Sequence, residues 1–114
     1  MKTILDIDNE TLVVRINGEL DHHLAAQLRQ QIDQTVMQGG IRKIIFDFSG
    51  VGLMDSSGIG LIMGRYKLMQ AVDGEVCAFG ISPQLDKLIT MSGIKRIIKI
   101  YQTEEQAKSK GGEK

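Results

Sequence analysis

The sequence predicts an α/β fold with a mixed, mostly parallel β-sheet, and three observations lead to this prediction. Short β-rich segments alternate with longer segments whose apolar residues recur at three and four positions, as in β-α-β units. The first two β-rich segments are separated only by the turn-forming stretch Asp8–Glu10, which indicates an antiparallel hairpin. The length of 114 residues fits one compact domain.

The hairpin and the first helix occupy the N-terminal third of the chain. We expect the hairpin strands at Thr3–Ile7 and Thr11–Ile16, because both segments are rich in β-branched residues. The first helix is expected over about His22–Met37, where an apolar residue recurs at every fourth position. Asp21 is its expected N-cap, and Gly39–Gly40 should end it because glycine adopts left-handed conformations at little cost.

The rest of the chain contains three further strand-helix pairs. The strands are expected at Arg42–Phe48, Glu75–Gly80 and Ile97–Tyr101, and the helices at Ser56–Val72, Pro83–Met91 and from Thr103 onward. Successive β-α-β units predict parallel strands joined by right-handed crossovers, so about four helices should pack on the sheet. We assign residues 1–107 to this domain and residues 108–114 to a frayed C-terminal tail.

Composition and charge argue against several classes of function. The 14 basic and 14 acidic residues give no net charge, whereas dedicated nucleic-acid binders usually carry a basic excess. No apolar run reaches the roughly 20 residues that span a bilayer, and Met1 leads into no signal-peptide pattern, so we expect a cytoplasmic protein. The single cysteine, Cys77, should be a buried thiol. The two histidines, His22 and His23, lack further ligands at suitable spacing, so neither metal nor cofactor is predicted.

The tetrapeptide Asp55–Gly58 carries the strongest functional signal. It follows the apolar run Ile44–Phe46, a predicted buried strand, and it opens the second helix. The hydroxyls of Ser56 and Ser57 therefore lie where free backbone N–H groups and the positive end of a helix dipole converge. Such a corner can hold a nucleophile, cradle a phosphate or present a residue to a modifying enzyme. Asp55 is the expected cap, and orienting the Ser56 hydroxyl is a second role open to it.

The second helix has two partly apolar faces. The stripe expected to face the core consists of Ile59, Ile62, Met63, Tyr66 and Met69. The opposite stripe is expected to be exposed, which is unusual for a monomer, and consists of Gly58, Leu61, Arg65 and Leu68. Gly60 and Gly64 each lower helix stability by roughly 1 kcal/mol relative to Ala. They either permit close packing of the helix on the sheet or leave a low surface for another protein.

Several short motifs lie in a fixed order along the chain. Three of them, Gly18–Asp21, Met54–Gly60 and Met91–Ile94, resemble the STAS domain of anti-sigma factor antagonists. The segments around His22–His23, Gly64–Lys67 and Ile81–Pro83 are similar to the sporulation members of that family, the anti-sigma F factor antagonists. The resemblance extends over nearly the whole chain, and it implies a single STAS-like domain.

The resemblance implies a regulatory switch rather than an enzyme. In this family the unmodified antagonist binds its anti-sigma factor, a protein serine kinase, and thereby frees the sigma factor. The kinase phosphorylates the first hydroxyl of the motif, which corresponds to Ser56, and a serine phosphatase reverses the modification. We expect partner contacts at Glu19, Asp21, Asp55, Ser57, Gly58, Leu61, Arg65 and Leu68. Asp21 as a simple cap, and Arg65 with Lys67 as solvated charges, are the plainer interpretations.

Two other functions are weighed against this switch. A hydrolase would need Ser56 or Ser57 as nucleophile with His22 or His23 as base, but the Gly-x-Ser-x-Gly motif is absent. A STAS scaffold or small-ligand module, for instance for nucleotides, would work without a kinase cycle, because glycine-rich corners can hold phosphates. The chain contains no Gly-x-x-x-x-Gly-Lys-Ser/Thr loop that would cradle a nucleotide.

Overall fold

The computed structural model describes residues 3–110, and it confirms the predicted α/β class. The strands are β1 (Thr3–Asp8), β2 (Thr11–Leu20), β3 (Lys43–Met54), β4 (Glu75–Phe79) and β5 (Lys99–Tyr101). The helices are α1 (His22–Met37), α2 (Ser56–Gln70), α3 (Pro83–Ser92) and α4 (Glu104–Lys110), and a single 3-10 turn covers Ile94–Arg96. Ser82 caps α3, because its hydroxyl accepts a hydrogen bond from the Leu85 N–H, and Pro83 occupies the first turn of the helix.

The five strands of residues 3–110 form one mixed sheet in the order β1-β2-β3-β4-β5. β1 pairs with β2 antiparallel, as the hairpin prediction requires, and the turn places Asn9 at a φ of 58°. The remaining neighbours pair in parallel, so each of them is reached by a crossover helix. The carboxyl ends of β2 and β3 therefore lie side by side at one edge of the sheet.

The helices divide between the two faces of the sheet. The larger core lies between the sheet and α1, α2 and α3, and includes Leu12, Phe46 and Ala78 from alternate strand positions. The smaller core lies on the opposite face, where Val13, Ile45 and Cys77 pack with Ala107 of α4. This division follows from the period of two in a strand, which points successive side chains to opposite faces. Cys77 is a buried thiol, as predicted, and burial raises its pKa to about 12.

β2 and β3 continue well past their predicted ends. The additional residues pair across the two strands, with Asn17 opposite Gly50 and Glu19 opposite Leu53. Register shifts interrupt this part of the ladder, which is why the glycine-containing sequence does not show the alternation of a regular strand. Glycine is favoured at position 50, because a Cβ there would lie 2.9 Å from the backbone oxygen of Ile16. Because the last residues of β2 and β3 pair with each other, α1 and α2 begin next to each other.

The C-terminal part differs from the prediction in two respects. β5 begins at Lys99 instead of Ile97, because Gly93 (φ 79°) ends α3 and the chain then forms the 3-10 turn. α4 extends to Lys110, so the first residues of the predicted frayed tail belong to its last turn, and residues 111–114 lie outside the described range. Lys108 reaches Glu104 at 3.0 Å and Asp8 at 3.6 Å.

Candidate functional site

Ser56 is the first residue of α2, directly after β3. The Asp55 carboxylate accepts a hydrogen bond from the Ser57 N–H at 2.8 Å, and the Gly58 N–H donates to the Asp55 carbonyl at 3.0 Å. The predicted N-cap is thereby confirmed. Ser56 and Asp55 are exposed and Ser57 is half-buried. Within residues 3–110 the Ser56 hydroxyl makes no hydrogen bond, so it is available to a second molecule.

The start of α1 lies next to this corner. The Asp21 carboxylate accepts a hydrogen bond from the Leu24 N–H at 2.9 Å, which confirms the cap and lowers the pKa of Asp21. The two helix starts are joined through the strands, because Leu20 pairs with Met54 and the Asp55 N–H donates to the Leu20 carbonyl at 3.3 Å. Two helix N-termini with acidic caps thus form one edge of the molecule.

Leu53 also lies on this edge of the molecule, although no sequence pattern indicates it. Leu53 is 61% exposed and pairs in the ladder with Glu19, which is also exposed. It lies three residues before Ser56, in a stretch that the sequence placed in a loop. Single exposed leucines are common on protein surfaces, and this one adds apolar area beside Ser56. We call the group Glu19, Asp21, Leu53, Asp55, Ser56 and Ser57 the Ser56 surface.

The predicted exposed face of α2 is wrong. Leu61 and Arg65 are 4% and 6% exposed, Gly58 is buried and Leu68 is half-buried. The reason is that α1 packs beside α2 and covers this side of the helix. A Cβ on Gly58 would lie 2.3 Å from Met54 Sδ, so this glycine permits a close approach of β3 to α2.

The predicted core face of α2 is confirmed in part. Ile62 and Met69 are almost fully buried, whereas Ile59, Met63 and Tyr66 are half-buried and pack against the core. The difference arises because the helix divides its apolar residues between the sheet and α1. Sequence periodicity identifies both stripes but does not show which one meets a neighbouring helix.

Arg65 belongs to the contact between α1 and α2. Its Nε lies 3.0 Å from Oδ1 of Asp33 on α1, and its Nη1 donates to the Leu61 carbonyl at 3.4 Å. The Nε–Oδ1 contact is an ion pair without hydrogen-bond geometry, so both atoms lack a hydrogen bond. Burial lowers the pKa of Arg65, while the Asp33 charge acts in the opposite direction. Lys67, by contrast, is exposed.

A groove of about 360 Å³ runs between α1 and α2 from the Ser56 surface. Its lining includes Ala25, Ala26 and Arg29 from α1, and Gly60 and Gly64 from α2. The packing explanation for these two glycines is wrong, because a Cβ on either would meet no atom within 4 Å. We call this feature the α1–α2 groove.

The two histidines lie near the Ser56 surface but do not hydrogen-bond to its serines within residues 3–110. His22 and His23 lie at the exposed start of α1 with ring centroids 5.7 Å apart. The described part of the chain holds no group of three or more potential metal ligands.

Of the helices that the structure describes, none combines the length and the apolar character that crossing a membrane requires.

Comparisons with known proteins agree with this geometry. The family model of the STAS domain matches residues 2–107. The anti-sigma F factor antagonist of Lysinibacillus sphaericus is 40% identical over 101 residues, which cover 89% of this chain and 86% of that protein. A solved structure of the anti-sigma factor antagonist SpoIIAA in its unphosphorylated form is 37% identical and covers 95% of this chain and 94% of its own, with a TM-score of 0.86.

A second solved structure is that of the Bacillus cell fate determinant SpoIIAA in the phosphorylated form. It is also 37% identical, covers 95% of this chain and 97% of its own, and has a TM-score of 0.76. The fold, the Ser56 surface and these similarities lead to one assignment. This chain belongs to the STAS domain family, among its anti-sigma factor antagonists.

Proposed function

We propose that this protein is an anti-anti-sigma factor switched by phosphorylation of Ser56. The unmodified form binds an anti-sigma factor that is a serine kinase, and the sigma factor is released. Phosphorylation of Ser56 ends this binding, and a serine phosphatase restores it. The observation that carries the proposal is the exposed Ser56 hydroxyl at the start of α2, unengaged within the described residues. The relatives and the two forms of SpoIIAA support it.

The fold is expected to tolerate the modification. A phosphate on Ser56 would lie beside the free N–H groups of the first turn of α2, where an anion gains typically 0.3–1 kcal/mol. The neighbouring carboxylate of Asp55 opposes this gain as a like charge. Because these effects are small and Ser56 is exposed, modification should leave the sheet and the helices unchanged.

At a protein interface the same phosphate has a much larger effect. It adds about −1.5 to −2 charges and would lose water on docking. Repulsion between two unit charges 4 Å apart is of order 4 kcal/mol at an effective dielectric near 20. Changing a complex from almost fully bound to almost fully free takes about 5.5 kcal/mol. A poorly matched dianion can therefore release the partner through local charge and bulk, without refolding.

We infer different roles for the predicted contact residues from their exposure. Glu19, Asp55 and Ser57 can meet the kinase directly because they reach the surface, and Leu53 adds an apolar anchor. Gly58 and Leu61 are buried where α2 meets β3 and α1, and Leu68 packs against the core. Arg65 pairs with Asp33 of α1 and also lines the α1–α2 groove. ATP, metal and general base belong to the kinase, so this chain is a substrate and regulator located in the cytoplasm with its partner.

A pull-down with paired variants tests the proposal. Ser56→Ala should capture a serine kinase of the anti-sigma type from lysate of the source bacterium, identified by mass spectrometry, and Ser56→Asp should not. The captured kinase with ATP should add one phosphate to the unmodified protein and none to Ser56→Ala. Failure of any such kinase to modify Ser56 would favour a STAS scaffold or nucleotide-binding module instead.

Nuclear magnetic resonance tests the local character of the switch. Amide shifts of the two forms should differ at the start of α2 and at the adjacent ends of β2 and β3, because the fold is expected to stay the same. Shift changes spread over the whole sheet, β5 included, would show that phosphorylation acts through refolding.

A further inference from the structure

The α1–α2 groove is open where α2 carries glycine. Gly60 is exposed and Gly64 half-buried, and a methyl group at either position would meet no atom within 4 Å. Each of these glycines lies inside the helix and lowers its stability by roughly 1 kcal/mol relative to Ala. Since packing within the described residues requires neither, the missing side chains leave room for a molecule that approaches α2 from outside.

The charged side chains of the groove are basic. Arg29, which is exposed, and the buried Arg65 line it together with His22, and no carboxylate does so. Arg65 is 6% exposed, and its contact with Asp33 leaves the Nε without a hydrogen bond. Because Asp33 already faces Nε, a further carboxylate would approach the guanidinium through its Nη groups, whose one hydrogen bond within the described residues is the long contact to the Leu61 carbonyl at 3.4 Å. Charge-assisted hydrogen bonds to guanidinium are among the strongest in proteins.

The groove is continuous with the Ser56 surface, because Ser57 belongs to both. We propose that the α1–α2 groove receives an acidic segment of the kinase that docks on the Ser56 surface. A carboxylate side chain of that segment lies between Arg29 and Arg65, and its backbone passes over Gly60 and Gly64. This inference rests on the proposed function, because the occupant is the same partner protein.

Filling the groove provides the first test. Gly64→Leu should raise the dissociation constant for the purified kinase at least tenfold, because the new side chain occupies the path of the acidic segment. The thermal unfolding midpoint should stay the same or rise, because leucine is a much better helix former than glycine. Weaker binding by an equally stable protein separates a blocked groove from a damaged fold. Gly60→Leu provides a second, independent variant.

Charge reversal provides the second test. Arg29→Glu should weaken kinase binding at least tenfold, with a loss that shrinks at high salt because exposed charges are screened. Arg42→Glu is the matched control: Arg42 is exposed directly before β3, at the end of that strand away from Ser56, and the same change there should alter binding less than twofold.

The outcomes distinguish this proposal from the switch itself. If Ser56→Asp loses the kinase while Gly64→Leu and Arg29→Glu bind it normally, the groove proposal is overturned and the switch stands. If Ser56→Asp binds as tightly as Ser56→Ala, the switch fails. Inorganic phosphate that shifts the Gly60 and Gly64 amide signals, together with unchanged kinase binding by Gly64→Leu, would identify a small-anion site and also overturn the groove proposal.

Discussion

At the scale of single residues, the glycines of α2 show how one residue type serves opposite purposes. Gly58 is required inside the molecule, because a Cβ there would overlap with Met54 and approach Leu20 to 3.0 Å. Gly64 faces open space and has no such constraint. From the sequence alone, both glycines are expected to lower helix stability by the same amount, because helix propensity does not depend on how crowded a position is in the folded protein.

The two positions therefore predict opposite effects of the same substitution. Gly58→Ala should lower the free energy of unfolding by about 1–2 kcal/mol, because overpacking outweighs the gain in helix propensity. Gly64→Ala should raise it by up to about 1 kcal/mol. Urea denaturation of both variants measures this difference. Equal effects of the two substitutions would show that the close contact of Gly58 with Met54 is unimportant.

Asp55 allows its two candidate roles to be separated. Asp55→Ala should lower the free energy of unfolding by about 1 kcal/mol through loss of the cap, whereas Asp55→Asn should keep most of it, since asparagine caps helices equally well. If Asp55 acts only as a cap, Asp55→Asn should be phosphorylated by the kinase at nearly the normal rate. A large loss of rate in this stable variant, with kinase affinity unchanged, would instead assign to Asp55 the orienting of the Ser56 hydroxyl.

At the scale of elements, α4 is held to the sheet by charges as well as by its small core. Arg15 on β2 forms two hydrogen bonds to the Glu104 carboxylate, at 2.8 and 2.9 Å, and a third to Asp6 at 2.9 Å. The Lys43 ammonium donates to the Ala107 carbonyl. A helix of seven residues is too short to be stable by itself, so these contacts and the burial of Ala107 determine its position.

The Glu104 ion pair predicts a pH dependence of stability. The hydrogen bonds from Arg15 lower the pKa of Glu104 to about 2, below its ordinary value of 4.5. The pair therefore stabilises the fold above about pH 4.5, and this contribution is lost as the pH falls toward 2. Glu104→Gln should be about 1 kcal/mol less stable than the unmodified protein at pH 7, because a partly exposed pair is screened by solvent.

The check on this prediction is urea denaturation of both proteins at pH 7, 4.5 and 3. The difference between them should already be smaller at pH 4.5 than at pH 7, because half of the unfolded chains then carry a protonated Glu104, and it should be smaller again at pH 3. A difference that is the same at all three values would contradict a role for the Glu104 charge.

At the scale of the whole molecule, the sequence was sufficient for the order of elements and for the caps. Asp21 and Asp55 were identified because each precedes an apolar helical pattern, and local hydrogen bonds decide capping. The burial of Leu61 and Arg65 was missed, because it depends on where α1 lies relative to α2. Leu53 was missed because the irregular ladder that exposes it has no alternation to detect.

Ser56 could be identified without a structure because its surroundings are local in sequence, whereas the α1–α2 groove depends on how two helices pack. The Ser56 corner is local, formed by one strand end and the helix that follows it. The groove combines residues of two helices that are separated in sequence by β3. The apolar pattern of one helix does not show which of its residues face a second helix. Only the packed structure shows that Arg29 of α1 and Gly64 of α2 line the same groove.

Calorimetric titration of the purified kinase with the unmodified protein and with the Ser56-phosphorylated protein, under one set of conditions, measures whether the charge on Ser56 controls binding. If the charge on Ser56 decides binding, phosphorylation should weaken the complex by about 10⁴-fold, the factor that corresponds to about 5.5 kcal/mol. Dissociation constants of the two forms that agree within tenfold would show that the charge on Ser56 does not control kinase binding.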